Sequence, residues 1–164
     1  MREIIFRGKR VDNGEWVYGY LSKSRGINRQ LELCIDYEEK GVMCSSIVIP
    51  ETIGQYTGLK DKNGRRIFEG DIIRYADIDE YNCYIESLEF PEAYDGQDFS
   101  NMFAIDEVVY GINIGYPAFD LNRHNFEVNG LSELNESGQY FYEVIGNIHD
   151  SPELIKGYDN ESTL

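Results

Sequence analysis

Glu69 and Asp71 stand two residues apart with Gly70 between them, and they are the nearest approach to a catalytic pair in the sequence. Two carboxylates divide into proton donor and proton acceptor when their surroundings separate their pKa values. A hydrolase built on this pair is one reading. The simpler one is a turn, in which Gly70 gives the backbone its freedom and Asp71 accepts from local amides. Histidine is the residue type suited to carrying a proton near neutral pH, but the sequence shows no partner for His149. Cys34, Cys44 and Cys83 make an odd number with no Cys-x-x-Cys, and His124 and His149 add ligand types without zinc spacing. The three thiols are therefore expected as reduced core or strand residues. Asp77-Ile78-Asp79-Glu80 gathers carboxylates, yet it lacks the glycine and distal glutamate of a calcium loop. Nucleophile-elbow, phosphate-loop and zinc-protease motifs are absent. The expectation is a protein with no catalytic, cofactor or metal set.

The elements that would position side chains are mostly strands. Residues 2–11 and 15–22 predict a hairpin about Asp12-Asn13-Gly14. In its second strand Trp16, Tyr18 and Tyr20 share one face, and Val17, Gly19 and Leu21 share the other. The aromatic face is expected in the core; the alternative is a base-stacking platform. Ser22–Arg29 reads as a polar loop. Gln30–Tyr37 and Val42–Ile49 predict a second hairpin around Glu38–Gly41, with Cys34 near Cys44 and Pro50 as its stop. Lys62-Asn63-Gly64 and Glu69-Gly70-Asp71 are turns, the second opening onto Ile72-Ile73.

Residues 76–105 show weak periodicity and several turn or breaker residues, Pro91, Asp95-Gly96 and Ser100-Asn101. Asp77–Glu89 fits a short helix or a strand. A structureless loop of this length would be unusual, so Tyr81, Tyr84, Leu88, Phe90, Tyr94, Phe99 and Phe103 are expected to pack back on the rest. Glu107–Ile114, Phe119–Val128 and Gln139–Ile145 read as strands, with Gly115-Tyr116-Pro117 as a break and Leu131–Ser137 as a short helix or turn. Ser151, Pro152 and Glu153 mark a helix start, Leu154 and Ile155 its docking face, and Asp159–Leu164 a fraying end.

The run Thr57–Gly64, TGLKDKNG, followed by Ile67–Ile73, IFEGDII, resembles the central signature of the YopX family of phage and prophage proteins. Phe6–Arg10 with Gly14–Tyr20 is similar to the family's opening, and Val144–His149 with Pro152–Ile155 to its close. The resemblance spans nearly the whole chain. It implies one small, mostly β domain over residues 1–164 with an SH3-like barrel, a short C-terminal helix and a phage or prophage origin, and, since the family pattern resumes at about Asp106, an acidic insertion at 76–105 relative to shorter relatives. It implies no activity and carries over no catalytic residue.

Charge narrows the partners. The net charge is −15 and uneven: residues 1–74 carry thirteen cations and eleven carboxylates, whereas residues 75–122 carry eleven carboxylates and no Lys or Arg. A whole-protein nucleic-acid binder needs a basic footprint, so nucleic acid is a poor general partner. Arg7, Lys9, Arg10, Lys23, Arg25 and Arg29 are the local exception. With Trp16 they define the alternative function, a nucleic-acid-binding barrel, although a solvated face is the simpler account. The acidic tract reads first as a solvated insertion that aids solubility. Its functional reading is a surface for a basic host or phage protein, carried by Asp77, Asp79, Glu80, Glu86 and Glu89. No apolar run approaches the roughly 18 residues of a membrane helix, and the start reads as neither signal nor transit peptide. The expectation is a cytoplasmic accessory protein of the host bacterium that works by binding, with self-association left open.

Overall fold

The computed structural model describes residues 3–25, 30–111, 118–122 and 129–156. Residues 1–2, 26–29, 112–117, 123–128 and 157–164 lie outside that description, and with them Arg29, His124, the expected break at 115–117 and the expected fraying end. The chain divides into two compact units, Met1–Gly58 and Leu59–Leu164.

The first unit is built from antiparallel strands β1 (Phe6–Lys9), β2 (Trp16–Arg25), β3 (Leu31–Glu39), β4 (Val42–Ile47) and β5 (Gly54–Lys60), in the order β4-β3-β2-β1-β5. The last residues of β5 run into the second unit. Gly14, at φ +73°, closes the first hairpin. The second closes in two residues, Lys40 and Gly41, both at positive φ (52° and 81°), as a tight hairpin turn requires. That short turn fixes the register: Tyr37 faces Cys44 and Cys34 faces Ile47. Cys34 and Cys44 therefore point to opposite faces, against the expected proximity, because the four-residue loop assumed for this hairpin is one of two. β2 also runs three residues past its expected end, since its ladder with β3 continues to Arg25↔Leu31. Backbone pairing holds the polar tail that the sequence suggested was a loop.

Val17, Ile35 and Val48 form the core of this unit, with Phe6, Leu33, Tyr37 and Ile53 partly buried around them. Gly19 sits on the same side. A Cβ there would lie 2.1 Å from the Asp36 carbonyl oxygen, so no other residue fits. The far end of the β3–β4 hairpin returns to β1: Val11 N–H donates to Ile47 O at 3.0 Å and Ile49 N–H to Lys9 O at 2.8 Å. A short 3-10 turn, Pro50–Thr52, leads into β5. The Thr52 hydroxyl oxygen accepts from Lys9 N–H at 2.8 Å and donates to Ile49 O at 2.7 Å.

In the second unit β6 (Arg66–Phe68) lies beside β5, and β7 (Asp71–Asp77), β8 (Ala104–Tyr110), β9 (Phe119–Leu121) and β10 (Tyr140–Asn147) form a separate antiparallel sheet, order β10-β7-β8-β9. Three helices join them: α1 (Ile78–Glu89), α2 (Gly130–Glu136) and α3 (Glu153–Lys156). The core gathers Ile67, Ile73, Val108, Leu121, Leu131, Leu134, Tyr142 and Val144. β8 begins and ends earlier than the expected strand 107–114, and of 119–128 only Phe119–Leu121 is strand within the described residues. The short helix at 131–137, the strand at 139–145 and the C-terminal helix all form within a few residues of their expected bounds.

Side-chain oxygens of this unit hold its turns. Asp61 is buried: its Oδ1 accepts from Asn63 N–H (2.9 Å) and Arg65 N–H (2.8 Å), and its Oδ2 from Val144 N–H (3.1 Å). One carboxylate thus shapes the Lys62-Asn63-Gly64 turn and pins it to β10. Next to it the β10 ladder shifts register between Val144 and Gly146. Gly146 leaves room for α3, since a Cβ there would meet Leu154 Cδ1 at 3.0 Å. The fold is mostly β, in two antiparallel sheets, and among the described residues neither closes into a barrel.

Candidate functional site

The acidic segment resolves into a helical arm. Asp77 ends β7 and caps α1, accepting from Asp79 N–H at 2.8 Å and Glu80 N–H at 3.4 Å. That cap settles the helix-or-strand ambiguity by satisfying amides the first turn leaves open. One face of α1 is held by rings. Tyr81 stacks on Phe141 of β10 (centroids 3.8 Å apart, 6° between planes), and Phe103 meets Tyr81, Tyr84 and Phe141 edge-on. Arg74 lies over Phe103 at 4.4 Å while its Nε donates to Glu143 Oε1 at 3.0 Å, which fixes the floor of this seat. Tyr84 and Tyr94 both approach Phe99. Of the seven apolar residues expected to pack back, Tyr81 and Phe103 reach β10, whereas Tyr84, Tyr94 and Phe99 pack among the rings of the segment itself. Leu88 and Phe90 do neither: each is 63% exposed, because α1 outruns its seat and none of its residues is fully buried.

The five acidic candidates separate by role. Asp77 is spent on the cap. Glu86 accepts from the Tyr94 hydroxyl, and that bond, ahead of desolvation, pushes the Tyr94 pKa up to about 12. Asp79, Glu80 and Glu89 face solvent. Asp79 and Glu80 also border a groove of about 480 Å³ with Cys83, Asp98, Phe99 and Met102. Asp98 accepts from Ser100 N–H at 2.9 Å, which holds its carboxyl below the usual range. Cys83 is exposed on α1, against its expected place in a core or strand.

The basic candidates do not gather. Arg7 and Lys9 pair with Tyr18 and Trp16 across β1–β2, so they share the aromatic face. Arg7 is only 3% exposed and lies over the Trp16 ring at 4.8 Å, with Lys9 Nζ at 5.4 Å. Arg10 forms a two-pronged ion pair with Asp12 (2.9 and 2.6 Å), which lowers the Asp12 pKa. Lys23 and Arg25 continue the Val17–Gly19–Leu21 alternation and stand on the opposite face of β2.

The aromatic face itself points outward. Tyr18 and Tyr20 are 49% and 62% exposed, against their expected burial. The cause lies on the other side of the strand, where Val17 packs with Ile35 and the Asp36 carbonyl leaves space for nothing larger than Gly19. Asp36 is directly opposite Tyr20, and Glu32 and Glu38 alternate with it on β3, so carboxylates border the stripe.

Elsewhere carboxylates serve the backbone. Asp71 is fully buried and accepts from Phe68 N–H at 2.8 Å, the turn contact expected of it. Asp120 Oδ1 accepts from Leu121, Gly130 and Leu131 N–H (2.8, 2.9 and 3.3 Å), anchoring the start of α2. Asn147 Oδ1 accepts from His149 and Asp150 N–H (2.9 and 3.0 Å). Asp61 and Asp120 were missed by sequence reasoning; the Asp-x-Asn-Gly pattern at 61–64 is the signal for the first. Among the described residues no three or more His, Cys, Asp or Glu come together as metal ligands, and no helix is long and apolar enough to cross a membrane.

The protein-family model described as "YopX protein" matches residues 5–156. Among curated proteins no relative matches the chain. Among solved structures the chain is similar to protein EF1440 from Enterococcus faecalis, at 22% identity, covering 94% of this chain and 99% of that one with a TM-score of 0.48. A likeness that distant carries no argument about function.

Proposed function

We propose, of a chain that belongs to the YopX family, that it works by binding rather than by catalysis, and that its acidic arm engages a basic partner protein. One observation carries the reading. α1 is seated at one end by Tyr81 on Phe141, has no fully buried residue, and turns Asp79, Glu80 and Glu89 to solvent. A helix whose apolar side is only half covered stabilises little by burial, so its surface is what it contributes. The absence of Lys and Arg from residues 75–122 gives that surface one sign. One-signed surfaces speed encounter with oppositely charged partners and set the salt dependence of binding. Elsewhere in the same unit Asp61, Asp71 and Asp120 are committed to backbone amides, which supports a structural rather than an acid–base role for them.

The same proposal includes an SH3-like reading of the first unit and the phage or prophage origin that goes with the family resemblance. Supporting the fold reading are the order β4-β3-β2-β1-β5, the 3-10 turn before β5 and the return of β4 to β1. The nucleic-acid alternative loses support because its cations divide between two faces and Arg7 is buried.

The structure refines the test. Asp77 and Glu86 have structural duties, so the informative variant is Asp79→Asn with Glu80→Gln and Glu89→Gln. Wild type and variant serve as baits in a bacterial lysate, with elution by rising salt. Proteins retained by wild type and lost from a folded variant are the expected result. Identical retention by both baits, at the same salt, ends the reading.

A further inference from the structure

We propose that the open edge of β4 pairs with β4 of a second copy of this chain, antiparallel and about a two-fold axis at Cys44. The site lies in the first unit and rests on no residue of the acidic arm. β4 ends the strand order β4-β3-β2-β1-β5, so β3 covers one side of it and, among the described residues, no strand covers the other. Its sequence, VMCSSI, has no charge and no proline, and its register with β3 runs without a bulge. Charge, proline and bulges are the devices by which sheet edges ordinarily discourage pairing. Here the edge is bare in a chain whose net charge is −15.

Register determines which backbone groups are on offer. Val48 N–H donates to Leu33 O at 3.0 Å, one step beyond the Cys34↔Ile47 pair. Hydrogen-bonded and non-hydrogen-bonded pairs alternate along an antiparallel ladder. Val42, Cys44 and Ser46 therefore turn their amides and carbonyls to β3, and Met43, Ser45 and Ile47 turn theirs outward. Ile47 O fits this alternation, since it accepts from Val11 N–H at 3.0 Å. That bond closes the edge at one end, and the Lys40–Gly41 turn closes it at the other. The stretch left open is Val42–Ser46, centred on Cys44.

A stretch with that centre fits itself. With Met43 opposite Ser45 of the second copy, each outward residue exchanges N–H···O=C bonds with its mate, and no group already in use is needed. Sliding by one pair in one direction brings Ile47, whose oxygen is taken, into the ladder. Sliding the other way runs Ser45 onto the turn at Gly41. The fitting register also sets Met43 diagonally across from Ile47 of the second copy, where these two side chains are now 67% and 43% exposed. Long side chains reach each other at that spacing. On the opposite face Val42 stands across from Ser46, and Cys44 across from its own counterpart in a non-hydrogen-bonded pair. Cα atoms of such a pair lie about 4.5 Å apart, which is within disulfide range. A foreign strand would gain the same backbone bonds, but it would have to supply cover for Met43 and Ile47. A second copy brings that cover with it.

Pairing over Val42–Ser46 alone falls short of the roughly 20–30 residues a side of a stable interface, so the dimer should form only at high concentration. Sedimentation velocity of the full chain carrying Cys83→Ser, from micromolar to millimolar, should show a reversible shift from monomer to dimer. Replacing Cys83, the exposed thiol of α1, leaves Cys44 to bridge two copies, since Cys34 is buried. Added diamide takes one hydrogen from each of two Cys44 thiols as their sulfurs bond, and is itself reduced. The covalent dimer should then yield a Cys44–Cys44 peptide by mass spectrometry. Ser45→Pro removes an outward N–H that β3 does not use, so the fold should persist by circular dichroism. Two intermolecular hydrogen bonds go with it, which should weaken the dimer about tenfold or more. Met43→Lys charges the edge without touching the backbone, and should weaken the dimer even where Ser45→Pro does not fold. A monomer at every concentration overturns the proposal. So does a dimer that folded Met43→Lys retains undiminished, or one that diamide links through no Cys44 pair.

Discussion

Helices α1 and α2 belong to the same unit and start alike, yet they hold different positions. Each is capped by an Asx side chain: Asp77 accepts from Asp79 and Glu80 N–H, and Asn129 from Ser132 N–H. α2 is the shorter, but it buries Leu131 and Leu134, and a second carboxylate, Asp120, grips its first amides. α1 buries nothing completely and leaves Leu88 and Phe90 in solvent. Length and capping are therefore poor guides to what a helix contributes. Here the contribution follows burial: α2 completes a core, and α1 is an attachment.

That contrast breaks if core and arm substitutions cost the same. The largest effect is expected from Leu134→Ala, which empties a buried site and should cost about 2–5 kcal/mol in urea denaturation. Next comes Asp120→Ala, which leaves three amides without their acceptor and should cost about 1–3 kcal/mol. Asp77→Ala removes only a cap, at about 1 kcal/mol, and its loss should appear as reduced helical signal before any global melting.

Alkaline pH sharpens the same division. Tyr75, in the β7 sheet, is pushed up to about 12 by burial and by the nearby Asp106 carboxylate, and Tyr94, in the arm, reaches about 12 through its bond to Glu86. Both phenols hold their protons longer folded than unfolded. The stabilisation Tyr75 gives is whole below the unfolded value of 10 and is lost as pH rises through about 12, whereas the titration of Tyr94 is felt in the arm alone. Tyr75→Phe should move alkaline unfolding to higher pH, whereas Tyr94→Phe should alter only the near-ultraviolet signal of the arm. Tyrosinate absorbance during a pH titration reads both. The smallest effect belongs to Leu88→Ala, expected within about 0.5 kcal/mol of wild type; a cost near that of Leu134→Ala would show that α1 is core after all.

Local chemistry made much of the fold legible. Gly14, Gly41, Gly64 and Gly70 all sit at positive φ in the turns expected of them, and Asp71 serves the turn that Gly70 opens. Which face of a strand lies inside was not legible from alternation alone. The period of two separates Trp16, Tyr18 and Tyr20 from Val17 and Gly19, but ring size pointed the wrong way. The better signal was glycine: Gly8 and Gly19 lie on the Val17 side, where a Cβ would crowd Val48 and Ile35 at Gly8 and collide with the Asp36 carbonyl at Gly19. The helix at 78–89 stayed ambiguous because Tyr81, Cys83 and Ile85 alternate as a strand while Ile78, Tyr81, Ile85 and Leu88 repeat as a helix. The separation of the basic residues and the reach of Asp61 to Val144 are long-range results of register, which no local window contains.

The pairing of β7 with β10 sets a timetable for synthesis. Asp77 meets Tyr140 and Asp71 meets Asn147, so each residue of β7 waits roughly 70 residues for its partner to be made. At about 5–20 residues per second that wait lasts roughly 4–14 s. Throughout it Ile72 and Ile73, fully buried in the finished fold, have no β10 to cover them. The β3–β4 hairpin closes across two residues and can form as soon as it leaves the ribosome. Between those events the ribosome emits the arm, whose eleven-carboxylate neighbourhood keeps the nascent chain charged while β7 still waits for both of its sheet partners.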